Sequence, residues 1–238
     1  MKILNPNSLV DTVDHFNEAS FYEIDWQVEA GELADWISKR LGKEGGYLGS
    51  FAMTESDWEM EFRLFTGERI ITKAGRAHVI AEEASRVLRI IEEETGIETQ
   101  ARKESEMRLS VSIFENMKSQ TLETGNYCCG TCSVSLWRYI NSGGFGEYSI
   151  IYKTGLQNLV GFRSEKGGWR KFPFYYTLLS LWESKDPISK QEINFQRSAC
   201  LRRLKFLANR STDKYSKRKS DLLKRVVAEP GVGSDTTR

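Results

Sequence analysis

The sequence predicts an all-α protein assembled from helical hairpins. Three observations carry that prediction. There are only 4 prolines in 238 residues, too few for a turn-dense β fold. Long stretches rich in Leu, Glu, Lys and Arg place apolar residues three and four apart, the helical period. Glycine, singly or in pairs, closes most of these stretches. A composition of 39% hydrophobic and 28% charged residues is ordinary for a globular chain and sufficient for one substantial core. The net charge of +1 excludes a polybasic nucleic-acid binder or an acidic tail protein as a description of the whole molecule.

In "SLVDTVDHFNEA", Leu9, Val10, Val13 and Phe16 share one helix face, with Ser8 as N-cap. In "AGELADWISKRLGKEGGY", Leu33, Trp36, Ile37 and Leu41 form the stripe and Gly42 or Gly45-Gly46 ends it. Residues 47–70 predict short helices with irregular connections. "KAGRAHVIAEEASRVLRIIEEETG" is the clearest helix: Ala77, Ile80, Ala81, Ala84, Val87, Leu88 and Ile91 recur, and Gly96 stops it. "RKESEMRLSVSIFENMKSQ" predicts another helix, and "YCCGTCSVSLWRYINSGGF" a short one. "YKTGLQNLVGFRSEKGGW" and "FPFYYTLLSLWES" pair as a hairpin. "SKQEINFQRSACLRRLKFLANRS" is expected as the last helix, N-capped by Ser189. One domain is expected over 1–207, with weaker repeat character in 31–95 and clearer in 100–207. A basic tail is expected over 208–238, its end disordered.

Gly-Gly-aromatic occurs three times, at Gly45-Gly46-Tyr47, Gly143-Gly144-Phe145 and Gly167-Gly168-Trp169. Each follows an apolar helix carrying a large aromatic. The first and third align further: Arg40 and Arg163 precede the glycines, and Phe51 and Phe172 follow. Glycine supplies the left-handed backbone that stops one helix and reverses the chain. Such pairs are expected to share one core. No Walker lysine follows the glycines, so a turn is preferred to a phosphate cradle.

The segment "YCCGTCSVSLWRYI…YKTGLQNLVGFRSEKGGWRKFPFYYTLLSLWES" resembles the repeats of α/α-toroid proteins, the protein prenyltransferase β-subunits and terpenoid cyclases. The resemblance implies a reduced or partial α/α toroid, an open arc with an aromatic-lined concave face. It also implies a substrate-contact role for Tyr176, Arg163 and Arg170, with Arg170 suited to a diphosphate. Zinc-dependent prenyl transfer is disfavoured. Tyr176 stands where the related enzymes carry a histidine, and no Asp-x-Cys pair exists in the chain.

Cys129-Gly130-Thr131-Cys132 is a CxxC. It reads as close helix packing by small residues, as half of a metal site completed from Cys200, His78 or Cys128, or as a redox pair. The readings stay open, with packing preferred because no second paired knuckle and no βαβ context accompany the motif. His78 is expected on a surface or half-buried helix face, paired with Glu82 or acting as a ligand. The acidic runs Glu82-Glu83, Glu92-Glu93-Glu94 and Asp57/Glu59/Glu61 could supply paired carboxylates for acid/base work, but are read as solvated faces. Residues 197–225 hold eleven Lys/Arg against two Asp, which leaves open an acidic partner or nucleic acid, although no base-reading motif accompanies the charge.

The expected function is therefore non-catalytic binding of an apolar small molecule or a protein segment. The expected ligand residues are Trp137, Tyr139, Trp169, Arg170, Phe172, Tyr175 and Tyr176. The alternatives are an enzyme acting on an isoprenoid or similar lipid, and a nucleic-acid or acidic-partner module. No cofactor is expected, and self-association stays open. "MKILNPNSLVDTVDHF" has no continuous apolar run, and no window of about 18 uncharged apolar residues occurs. With clustered rather than dispersed cysteines, the expectation is a cytoplasmic protein with reduced thiols and no membrane span.

Overall fold

Helices are the only regular elements among the described residues. The computed structural model describes residues 2–117, 121–146, 149–207 and 213–228. The helices are α1 (Leu9–Tyr22), α2 (Ala30–Ser38), α3 (Glu55–Glu59), α4 (Lys73–Thr95), α5 (Gln100–Met117), α6 (Thr121–Thr124), α7 (Gly130–Asn141), α8 (Ser149–Leu159), α9 (Phe174–Trp182), α10 (Pro187–Leu207) and α11 (Lys214–Ala228). None of them is long and apolar enough to cross a membrane.

Local chemistry explains the boundaries. The Ser8 hydroxyl accepts from Asp11 N–H as the α1 cap. Asp57, in the TESDW segment, closes a capping box with Thr54 on α3 and also accepts from Leu9 N–H at 2.9 Å. One carboxylate thus caps two helices. Gly96, at φ 75°, ends α4 as expected. The expected cap of α10 is corrected: Asp186 accepts from Ile188 N–H at 2.8 Å and starts the helix. Ser189 is buried in its first turn, where it pairs with the Tyr152 hydroxyl at 3.0 Å.

The repeat seen in the sequence has a geometric counterpart. A single antiparallel bridge joins Leu41 to Phe51 and another joins Arg163 to Trp169. Left-handed glycines turn both loops, Gly45 at φ 80° and Gly167 at φ 84°. A third such turn joins Arg63 to Arg69 around Gly67. Its pattern matches the 163–169 turn bond for bond. Gly67 donates to Leu64 O as Gly167 does to Ser164 O, and Leu64 to Glu68 O as Ser164 to Gly168 O. Ile70 donates to Phe62 O as Arg170 does to Phe162 O. A search for glycine pairs misses this turn because one left-handed glycine suffices.

Helix α4 is the hub and packs against α1, α2, α5 and α7. Thirteen of its residues are buried, including His78, Glu82, Glu83, Ser85 and Arg86. Buried polar groups need partners: His78 pairs with Glu82 on α4 itself, Ser85 with Ser105 on α5, and Glu83 and Arg86 with groups on α1, α7 and α9. The solvated face expected for Glu82-Glu83 and for Asp57 is thereby corrected, since all three are buried. The α7–α8 crossing depends on Gly155. A Cβ there would stand 2.6 Å from the Trp137 ring, whose indole donates to Gly125 O at 2.7 Å. Gly155→Ala gains about 1 kcal/mol of helix propensity. The overpacking typically costs about 1–3 kcal/mol, occasionally more, and a fully buried ring has little room to yield. A net loss of stability is expected in urea unfolding, and an unchanged or raised midpoint would refute this crossing.

The expected tail is corrected over 213–228. This segment is α11, with Leu222, Leu223 and Val226 in the core. Arg218 is 1% exposed and donates to Asp14 and Glu18 on α1 and to Phe65 O. Arg225 lies over the rings of Phe21 and Trp182. Much of the basic charge of this region therefore docks α11 onto the fold. Residues 208–212 and 229–238 lie outside the described residues.

Candidate thiol site

A cavity of about 890 Å³ opens beside the N-terminal turns of α4 and α7. Thr72, Ala74, Gly75, His78 and Val79 come from α4 and its cap. The loop before α7 and its first turn contribute Asn126 through Ser133. Tyr47, Arg69, Ile70 and Ile71 close one side, and Phe162, Lys171 and Phe172 the other.

The CxxC sits at the start of α7, with Cys129 extended at the N-cap. Ser133 holds this loop to the helix: its hydroxyl accepts from Tyr127 N–H at 2.9 Å and lies 2.8 Å from Cys129 O. Gly130 is obligatory, because a Cβ there would stand 1.9 Å from Lys171 O. The 169–172 strap therefore lies directly on the first turn of α7. Lys171 itself is left-handed, at φ 69°.

The two thiols differ. Cys129 is exposed and Cys132 buried, with their sulfurs 3.6 Å apart. A hydrogen bond from the Cys132 thiol brings Cys129 down to about 5. The backbone N–H groups of Cys132 and Thr131 and the charge of His78 add to this, against burial. The same hydrogen bond, with burial and the charge of Glu82, drives Cys132 far upward, so it stays protonated. Cys128 is exposed, and all three sulfurs lie within 4.8 Å of one another.

The expectation of a surface or half-buried His78 is corrected, since it is only 4% exposed. Its ring stacks on Tyr47 at 4.7 Å and meets the Tyr127 edge at 4.8 Å. The two tyrosine hydroxyls are joined at 2.8 Å. His78 Nε2 pairs with Glu82 Oε1 at 2.8 Å, while Glu82 Oε2 is buried without a hydrogen-bond partner. Burial pulls His78 down, but Glu82 and then Cys129 outweigh it, and its pKa is raised. An imidazolium at His78 and a thiolate at Cys129 favour each other. With a raised folded value, His78's contribution to stability is complete below about 6.5, its unfolded value. It is lost as pH rises through the raised value.

Of the ligand residues expected from the sequence, Phe172 lines this cavity. Trp137, Tyr139 and Tyr176 are fully buried core residues. The Tyr139 and Tyr176 hydroxyls donate to Glu106 and Glu83, respectively. Trp169 donates to Glu192 at 3.0 Å. Arg170 is exposed and donates to Gly161 O, and Tyr175 is half-buried beside Arg203 and Lys219. Of the metal-ligand residues expected, Cys129, Cys132 and His78 meet at the cavity. Cys200 is buried on α10 outside its lining, where desolvation pushes it up to about 11. The core-packing reading of the CxxC holds for Cys132 and is corrected for Cys129, which is exposed. The CxxC and the His78–Glu82 spacing are visible in the sequence; their meeting across α4 and α7 is not.

Fold and site define an all-α protein of helical hairpins with a dithiol at the mouth of a cavity. No protein-family model, curated protein or solved structure matches the chain.

Proposed function

We propose that this protein carries out thiol–disulfide exchange on a ligand held in the cavity. The observation that supports it best is the paired asymmetry of the CxxC, an accessible sulfur at a helix N-terminus 3.6 Å from a buried one. Cys129 thiolate attacks one sulfur of a substrate disulfide, forming a mixed disulfide and expelling a thiolate. Cys132 then gives up its proton. The unpartnered Glu82 Oε2 is the suited acceptor, since the Glu82 charge bears directly on this thiol. The Cys132 thiolate attacks Cys129 sulfur, releasing the second substrate thiolate and closing a Cys129–Cys132 disulfide. The sulfurs must approach from 3.6 Å to about 2.05 Å, a side-chain rotation rather than a refolding. The dithiol is oxidised by two electrons and the substrate disulfide reduced; the reverse reaction uses the same atoms.

Trapping tests this in a Cys128→Ser background. With hydroxyethyl disulfide, Cys132→Ser should accumulate a mixed disulfide at Cys129, while the intact CxxC passes on to the intramolecular disulfide. Peptide mass mapping reads both. Failure of Cys129 and Cys132 to bond under oxidant would overturn the proposal.

A second reading is favoured by the third sulfur. Cys128, Cys129 and Cys132 together would suit a soft cation, with His78 beside them and a fourth position left for ligand. Stoichiometric zinc in purified protein, lost on Cys128→Ser, would support that reading against exchange.

A further inference from the structure

We infer that the disulfide or thiol taken by this site is amphipathic and carries an anionic group, with its apolar body on Phe162 and Phe172 and its anion at Lys171. This rests on the exchange reading above and adds the substrate class.

The charge of the cavity is one-sided. Its lining includes Arg69, Lys171 and His78 and no Asp or Glu. Arg69 is paired outward with Glu61, and His78 inward with Glu82. Lys171 has no carboxylate within ion-pair distance among the described residues; its ammonium lies 5.8 Å from the Phe162 ring. The helices whose first turns reach the cavity, α4 and α7, carry no acidic residue in those turns. Their positive ends are therefore not offset locally. An anion entering here meets Lys171 and the two helix N-termini, and the like charge it faces in the lining is the Cys129 thiolate it reacts with.

The position of Lys171 is itself costly. At φ 69° Lys171 occupies the left-handed region, which non-glycine residues adopt only against strain, and such strain concentrates at functional sites. The strap holds Lys171 there because its carbonyl packs on Gly130. Glycine would take the same backbone without strain, so the long cationic side chain is what the position adds. The apolar wall is equally local. Phe172 stacks on Trp137 at 5.4 Å and meets Phe162 edge-on at 5.3 Å, and Ile70, Ile71 and Val79 also face the cavity. A small, purely polar disulfide would leave this surface unused.

Three probes separate the possibilities in the Cys128→Ser background: 5,5′-dithiobis(2-nitrobenzoate), anionic and aromatic; 2,2′-dithiodipyridine, neutral and aromatic; and cystamine, cationic and aliphatic. Each rate at Cys129 is divided by the rate of the same probe with 2-mercaptoethanol. The normalised rate should be about tenfold higher for the anionic than for the neutral probe at low salt, lowest for cystamine, and levelled by added salt. The anionic-to-neutral ratio should fall to about one in Lys171→Gln. Lys171→Gly should give the same ratio while relieving the backbone, which separates lost charge from misfolding. Equal normalised rates for all probes, or a preference for cystamine, would overturn the substrate class and leave exchange standing. Failure of every probe to form the Cys129–Cys132 disulfide would instead overturn exchange itself.

Discussion

Alkylation of Cys129 by iodoacetamide should follow a titration curve centred near pH 5, about four units below an ordinary cysteine. The profile matters more than any single rate. At pH 6 such a thiol is about 90% thiolate, roughly a thousandfold more than one titrating near 9. With a Brønsted slope of about 0.45, its thiolate is roughly 60-fold less nucleophilic. The net advantage at pH 6 is then only about 15-fold, is gone near pH 7, and reverses towards pH 8 as the ordinary thiol begins to ionise. Cys132→Ala removes the largest cause of the shift, so the midpoint should move up by more than one unit. His78→Gln should move it up by less, because the His78 charge is a smaller contribution than the hydrogen bond. Peptide mapping separates Cys129 from the neighbouring Cys128. A Cys129 midpoint at 8.5 or above would remove the thiolate from the site and weaken exchange with it.

Arg138→Met should destabilise the fold by about 3–5 kcal/mol at pH 7, the cost of leaving buried charges without a partner. Arg138 is 2% exposed and joins α7 to α4 and α9. Its Nε and Nη2 donate to Glu183 at 2.8 and 2.7 Å, its Nη1 to Glu83, and its plane lies over the Tyr176 ring. Arg86 is the second cation of the cluster, 3.0 Å from Glu183 and 3.9 Å from Glu83. Two arginines balance two glutamates; removing one leaves a net negative charge in a dry interior. Burial alone would raise Glu183, but Arg138 and Arg86 outweigh it and hold it below its usual value. A depressed carboxylate contributes stability above its unfolded pKa, here about 4.5, and loses it as pH falls through the folded value. With Arg138 gone, burial is less opposed, so Glu183 takes up its proton at a higher pH in the variant than in the native protein, and the Arg138→Met penalty should shrink as pH falls from 7 to 4. Urea unfolding at both pH values reads this, and a penalty below 1 kcal/mol at pH 7, or one independent of pH, would refute the account.

What was legible follows the range of the interactions involved. Helix periods, the Ser8 and Gly96 caps and the glycine turns depend on residues within a turn or two of each other, and the sequence displays them directly. The turn at Gly67 escaped because its signature is one left-handed glycine. The Ser189 cap was misplaced by three residues because Asp186 and Ser189 are both competent caps, and the start of the helix decides between them.

The sequence by itself determined the helical class, the hairpin punctuation and the residues available for chemistry, since periodicity and turn preference are properties of neighbouring residues. It left the aromatics ambiguous: a Trp or Tyr looks the same whether it faces a cavity or fills a core. Only the tertiary structure decided that Trp137, Tyr139 and Tyr176 are core, that the basic Lys214–Ala228 segment is a docked helix, and that His78 meets Cys129. The reason is physical. Burial and charge balance are set by which helices cross, and α4 and α7 bring together groups some 50 positions apart. A sequence read along its length does not contain that distance.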